Sequence, residues 1–300
     1  METLHLAYRP PFDAAALLAY LGNRAIRGVE EITARGYRRT IVLPRSRGVI
    51  ELEPKLEMHT IFVHVQLSSM NDLDLLTQRC RQVFDLDADP ATIGQILAAD
   101  PVLAPLVALR PGLRVPGTVD GFELAVRAIL GQQVSVAGAR TLAGRIVAAV
   151  GEPLASPVGT LTHFFPSPAV LARANLSGLG ITQSRVNAIR ALARSVASGE
   201  LVLDRHADRA RTIAQLQALP GVGPWTAAYI AMRALGDPDA LPVTDLGLLR
   251  ALEYRGLATR PREILAYAEA WRPWRAYATH HLWASLASVQ KTGKDNGFST

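Results

Sequence analysis

Asp245 is the residue from which chemistry is most directly built. It follows Pro242-Val243-Thr244 and precedes the helical run LGLLRAL. Thr244 reads as the N-cap, which puts Asp245 in the first helical turn, where the helix dipole favours the ionised form. An ionised carboxylate beside a sugar stabilises an oxocarbenium-like transition state, and it also orients or deprotonates an attacking water. The rival reading is a helix cap without chemistry. Upstream by 22 residues lies Gly223, which closes the turn LPGVG at 219–223. Pro220 stops the helical pattern of 208–219. Gly221 and Gly223 permit positive φ and leave room for another backbone to approach. A new helix begins near Trp225-Thr226, so its free N–H groups point out of the turn. Glycine amides and a helix end without side-chain charge suit a nucleic-acid phosphate contacted regardless of base sequence. A plain helix–turn–helix corner, with glycine for packing, uses the same residues.

Trp225 and Tyr229 are four apart and share a helix face. Trp271, Trp274, Tyr277 and Trp283 cluster beyond the aspartate, in a chain only 6% aromatic. An aromatic wall stacks an extruded base, and an electron-poor alkylated purine gains further by cation–π attraction. Such a base sheds its charge on leaving, so one carboxylate without a general acid suffices. Core packing is the competing explanation, strongest for Trp271 and Trp274. His280 and His281 are adjacent, face different sides of a helix and do not form a metal pair. HExxH, zinc patterns, GxSxG and GxxxxGK[ST] are all absent.

Positioning these residues takes 300 residues, enough for two or three domains. The chain is 49% apolar and 19% charged, a globular composition. No membrane span and no secretory signal are apparent, so a cytoplasmic setting is expected, nucleoid-associated if the source is bacterial. Cys80 is the single cysteine, which excludes an internal disulfide and Cys-ligated zinc or iron–sulfur centres. The net charge is +6. Residues 1–115 carry 13 Lys/Arg and 13 Asp/Glu, so the whole excess lies in 116–300, with the glycine turn. Only Lys55, Lys291 and Lys294 are lysines. The charge favours a polyanion partner weakly.

The N-terminal pattern predicts strands at 3–9, 28–35, 38–43, 48–53 and 60–67, with helices at 13–24 and 72–84. Residues 1–89 are therefore expected to form a mixed antiparallel sheet module with helices on one face. After Asp89-Pro90 the pattern is helical, punctuated by Gly/Pro-rich loops such as 151–168. The expected fold class is α+β: an N-terminal antiparallel sheet module followed by all-α domains. One helical subdomain spans 116–237 and holds the glycine turn. The other combines 90–115 with 238–288 and holds Asp245. The polar tail 289–300 is expected to be disordered.

LPGVGPWTA followed by Asp245 resembles the helix-hairpin-helix motif of base-excision DNA glycosylases. RPGLRVPGTVDGFELAVRAILGQQVSVAGA (110–139), WRPWRAYATHHLW (271–283) and the mixed N-terminal module are similar to 3-methyladenine DNA glycosylase II, the AlkA type. The similarity covers roughly residues 1–286.

The resemblance implies roles. Asp245 is the catalytic carboxylate. Trp225, Tyr229 and Trp283 line a base pocket, with Tyr20 near its edge. Gly221, Gly223 and Thr226 contact DNA. Gln133 occupies the wedge position at a helix tip, where some members carry leucine. Main-chain carbonyls of Gln217, Leu219 and Val222 are candidates to hold a structural Na+ or K+; no other cofactor is implied. Lyase members place a Schiff-base lysine two residues after the second glycine. Here that residue is Trp225, and no lysine occurs from 56 to 290. The expected activity is thus monofunctional excision of cationic alkylpurines such as N3-methyladenine from double-stranded DNA, by a monomer, leaving an abasic site. A glycosylase for deaminated or oxidised bases and a non-catalytic damage-binding module are the rivals.

Overall fold

The computed structural model describes residues 2–257 and 259–295. Five strands, β1 (Glu2–Ala7), β2 (Glu30–Ile32), β3 (Tyr37–Val42), β4 (Arg47–Lys55) and β5 (Thr60–Leu67), form one antiparallel sheet in the order β1-β5-β4-β3-β2. Alternation along β5 turns Ile61, Val63 and Val65 inward, each fully buried. They pair with Pro54, Leu52 and Ile50 of β4. Two helices, α1 (Ala14–Arg24) and α2 (Leu73–Phe84), close this core with Leu17, Leu21, Leu76, Cys80, Val83 and Phe84. Asp13 starts α1 by accepting from Ala16 N at 2.9 Å. The sheet module thus forms as the alternation predicts.

The remainder is helical: α3 (Pro90–Leu97), α4 (Ala104–Leu109), α5 (Gly121–Leu130), α6 (Val136–Val150), α7 (Pro168–Leu171), α8 (Gln183–Ala197), α9 (Arg209–Ala218), α10 (Pro224–Arg233), α11 (Leu246–Glu253), α12 (Pro261–Tyr267) and α13 (Arg275–Asp295). Every residue of α5 except Arg127 is buried, so α5 is the central strut, enclosed on all sides. It packs with α6, α8 and α10 into one core, which also takes in Ile26 and Val29 from the sheet module. A second core joins α3, α4, α11, α12 and α13. Helix α10 serves both: Ala227 and Ile230 face the first, Ala231 and Met232 the second. A cleft therefore opens between two cores that share one helix.

Two expectations are corrected. The region beyond residue 90 is not all-α, because β6 (Pro153–Val158) and β7 (Leu161–His163) form a hairpin within the expected loop. Its outer strand, PLASPV, has no buried residue and hence no alternation to read. Docking explains it: Thr162 N and His163 N both donate to Gly28 O, and Thr160 N donates to Glu31. Second, α13 continues to Asp295, past the expected start of a disordered tail. Extending an existing helix gains one hydrogen bond per residue without a new nucleus. Residues 296–300 lie outside the described residues. Among the described residues, no helix is long and apolar enough to cross a membrane.

Candidate active site

Helix α9 ends at Ala218 because Pro220 forces the preceding residue, Leu219, into extended backbone at φ −75°, ψ 139°. Gly221 then takes φ +77°, the left-handed region that glycine enters freely. Gly223 does not use that freedom. Its φ is −87°, open to any residue. A Cβ on Gly223 would meet nothing within 4 Å inside the protein. What glycine offers at that position is an unobstructed backbone facing outward. Pro224 begins α10, and its missing N–H costs nothing at the first helical position.

Asp245 is itself the N-cap of α11, and Thr244 is not. Its Oδ1 accepts from Leu248 N at 2.8 Å. A carboxylate competes well for this role because it meets the helix dipole with a full charge. The same Oδ1 accepts from Trp283 Nε1 at 2.8 Å, and Oδ2 accepts from Trp225 Nε1 at 2.9 Å. Two indoles from α10 and α13 thus clamp one carboxylate. Oδ1 has both lone pairs used, whereas Oδ2 retains one. The chemistry open to Asp245 resides on Oδ2.

Trp225 and Tyr229 stack with ring centroids 5.6 Å apart and planes 15° from parallel. Tyr229 and Trp283 lie 6.4 Å apart at 47°. These rings, Asp245, Gly223, Thr226 and Gln133 line one cleft of about 1390 Å³. Tyr20 does not line it. Its Oη lies 3.2 Å from Tyr229 Oη, behind the cleft wall. Gly221 lies at the hairpin, outside the lining, as do Gln217, Leu219 and Val222. Trp271 is fully buried and donates Nε1 to Asp100 at 2.8 Å, a core role. Trp274 packs partly buried against the same core. His280 is wedged between Tyr20 and Trp283, with centroids 5.3 and 4.9 Å away. Burial, reinforced by Arg233 and Arg24, holds it well below the usual histidine range, so it is neutral. Among the described residues, no His/Cys/Asp/Glu cluster could hold a metal ion.

Gln133 sits at the tip between α5 and α6 with φ +53°, a conformation rare for a residue with a side chain. It is exposed and lines the cleft. Its neighbour Gln132, which sequence reasoning missed, fastens this tip to the hairpin. Gln132 Nε2 donates to Gly221 O at 2.8 Å and Thr226 Oγ1 at 2.9 Å. Arg185 of α8 donates to Gln132 O.

Also missed was the cationic lining. Arg24, Arg127, Arg140, Arg233 and Arg250 all border the cleft, against the single carboxylate of Asp245. Arg127 is held by Glu30 at 2.8 Å and Glu123 at 2.9 Å. Arg39 reaches Glu123 at 2.5 Å and Glu30 at 3.4 Å. This buried network ties the sheet to α5. Burial opposes ionisation of Glu30, but Arg127 and Arg39 outweigh it and hold its carboxyl below the usual range. The i, i+4 spacing of Glu123 to Arg127 and of Tyr229 to Arg233 was the available sequence signal.

Residues 3–120 match the family model of the AlkA N-terminal domain. Residues 126–276 match that of the HhH-GPD superfamily base excision DNA repair protein. A Mycobacterium tuberculosis protein described as a probable bifunctional transcriptional activator/DNA repair enzyme AlkA is 47% identical over 284 residues. That alignment takes 95% of this chain but 57% of the relative, so the chain spans little more than half the relative's length. DNA-3-methyladenine glycosylase 2 of Escherichia coli is 35% identical, with 93% of this chain and 95% of that protein aligned. Among solved structures, a 3-methyladenine DNA glycosylase from Archaeoglobus fulgidus superposes with a TM-score of 0.79 at 20% identity, covering 94% of this chain and 97% of that one. At that identity the likeness concerns the fold alone.

Proposed function

The chain belongs to the HhH-GPD superfamily of base excision DNA repair proteins, and from that premise we propose that it is a monofunctional DNA glycosylase for alkylated bases. The observation that carries this reading is Asp245 clamped at 2.9 and 2.8 Å by Trp225 and Trp283 at the mouth of an aromatic cleft.

The reaction follows from that arrangement. The extruded base stacks in the cleft of Trp225, Tyr229 and Trp283, while the Gly223 turn and α10 N-terminus hold a backbone phosphate. Gln133 fills the space left in the duplex. As the C1′–N bond breaks, its electron pair departs with the base, and a cationic base becomes neutral. Positive charge then develops on the sugar. The free lone pair of Asp245 Oδ2 stabilises it and aligns the water that attacks C1′. Water supplies the oxygen and releases a proton to solvent, and an abasic site is the product.

Trp225 occupies the place of the lyase lysine, and its N–H is committed to Asp245. Lys55 pairs with Glu53 away from the cleft, and the other two lysines, Lys291 and Lys294, fall in the final turns of α13. No Schiff base to the sugar is therefore expected. A monovalent cation fits the carbonyls of Gln217, Leu219 and Val222. The end of α9 frees last-turn carbonyls, and Leu219 O has only a 3.2 Å bond from Val222 N. Bound there, Na+ or K+ would stiffen the hairpin that aims the Gly223 amide. The enzyme acts on double-stranded DNA, as a monomer, in the compartment that holds it.

A base-release panel tests this. Duplexes bearing methylated, deaminated and oxidised purines are incubated with the enzyme, and borohydride is added to parallel samples. Release of N3-methyladenine without a covalent adduct is expected. Release of neutral oxidised purines alone, or a trapped adduct, would overturn the reading.

A further inference from the structure

We propose that Tyr20, Tyr229 and Arg233 form one hydrogen-bonded cluster that presents Tyr229 Oη to the extruded base as a charge-selective contact, phenol in one state and phenolate in the other. The proposal rests on the base-pocket reading above and adds the group that reads the base's charge.

The geometry is a closed triangle. Arg233 Nη1 lies 2.8 Å from both Tyr20 Oη and Tyr229 Oη, and the two oxygens are 3.2 Å apart. A guanidinium only donates, so both phenol oxygens accept from it. Arg233 cannot swing away, because Nε donates to Pro116 O and Nη2 to Gly117 O at 3.0 Å. The oxygen pair shares one phenol proton. Burial, partly offset by Arg233 and Arg24, pushes Tyr20 up to about 12, so Tyr20 keeps its proton and donates it. Both acceptor positions of Tyr229 Oη are then filled, by Arg233 and by Tyr20. Its own proton has no partner within the cluster, and Tyr229 lines the cleft together with Arg24 and Arg233. Losing that proton leaves an anion beside the base.

The surroundings favour that loss. Burial by itself opposes it, but Arg233, Arg24, the hydrogen bond from Tyr20 and Arg127 outweigh burial and bring Tyr229 down to about 8. Each packed element contributes. On its own helix α10 lie Arg233 and Trp225. Helix α1 brings Tyr20 and Arg24, and α5 brings Arg127, itself paired with Glu30 and Glu123. Helix α13 brings neutral His280 and Trp283, and at the start of α11 the Asp245 carboxylate is engaged by two indoles. A phenolate attracts a cationic purine more than a neutral one. The base loses its charge as it leaves, so the contact weakens as the bond breaks; it lowers KM and kcat together and leaves kcat/KM nearly unchanged. Tyr20 and Arg233 are positioning residues in this scheme.

Two measurements test the proposal. Tyrosinate ultraviolet absorption is titrated in DNA-free enzyme for wild type, Tyr229→Phe and Tyr20→Phe. One tyrosine titrating below the ordinary tyrosine value of 10 in wild type, absent in Tyr229→Phe and shifted upward in Tyr20→Phe, is expected. Binding of two purines is then followed by tryptophan quenching: one with its cation fixed by methylation of two ring nitrogens, the other neutral with one methyl. The cation-to-neutral preference should rise by up to about tenfold as pH increases through the transition, the equivalent of one pKa unit, and stay flat in Tyr229→Phe. An unchanged titration in Tyr229→Phe, or a pH-independent preference in wild type, would overturn the proposal. Neither measurement needs base release, so a failed base-release panel and a failed titration are distinguishable.

Discussion

Trp225 Nε1 donates to Asp245 Oδ2 at 2.9 Å, across the join between two cores. The indole therefore does two jobs. Its face stacks in the cleft, and its edge fixes the carboxylate oxygen that retains a free lone pair.

Trp225→Phe separates the two jobs. Phenylalanine keeps an aromatic face and removes the N–H. The loss of one hydrogen bond to a charged group is about 1.5–3 kcal/mol, so single-turnover base release should slow by roughly 10-fold to 100-fold. Substrate binding should change much less. Rapid-quench kinetics with a saturating methylated duplex measures this.

Gln133→Gly should split stability from function. Gln133 holds φ +53°, which glycine adopts without strain, so the thermal midpoint should rise by the equivalent of about 1 kcal/mol. Loss of the side chain from the helix tip should nevertheless weaken binding to a damaged duplex. Thermal unfolding and fluorescence anisotropy on one protein preparation measure both effects. Stability gained with binding unchanged would remove Gln133 from the wedge role.

The buried ion network makes a pH prediction. Glu30 is held below its ordinary value of 4.5 by Arg127 and Arg39, against the opposing effect of burial. Its folded pKa is depressed, so its contribution is fully present above the unfolded value and is lost as pH falls through the folded one. Glu30→Gln leaves buried Arg39 and half-buried Arg127 short of charge and should cost about 3–5 kcal/mol at neutral pH. The loss of stability on acidification should be shallower in the variant than in wild type. Urea unfolding across the acid range checks the sign.

The parts of this site that could be read in the sequence are local ones. Gly221, Pro224, Trp225 and Tyr229 lie within nine residues, where turn chemistry and helical period suffice to place them. Asp245 was visible for the same reason, although its role as cap was assigned to Thr244. A cap is decided by a single carboxylate–amide bond that two adjacent polar residues compete for. What stayed hidden depends on pairs distant in sequence. Arg233 looked like an ordinary cation in the last turn of a helix until Tyr20, 213 residues away, met it at 2.8 Å. Gln132 carries no signal apart from the carbonyl of Gly221 that it holds. The β6–β7 hairpin was missed because PLASPV buries nothing and its partner strand β7 is fixed from outside by Gly28.

Single-turnover release of N3-methyladenine by Asp245→Asn, with duplex affinity measured in parallel, tests the central claim most directly. Asparagine retains the N-cap at little cost, so the fold and the clamp's frame persist. Release should fall by at least about 100-fold, the scale of a lost electrostatic contact to a developing charge, while duplex affinity stays within about threefold. Release at the wild-type rate would contradict that claim, and Asp245 would then be a helix cap and nothing more.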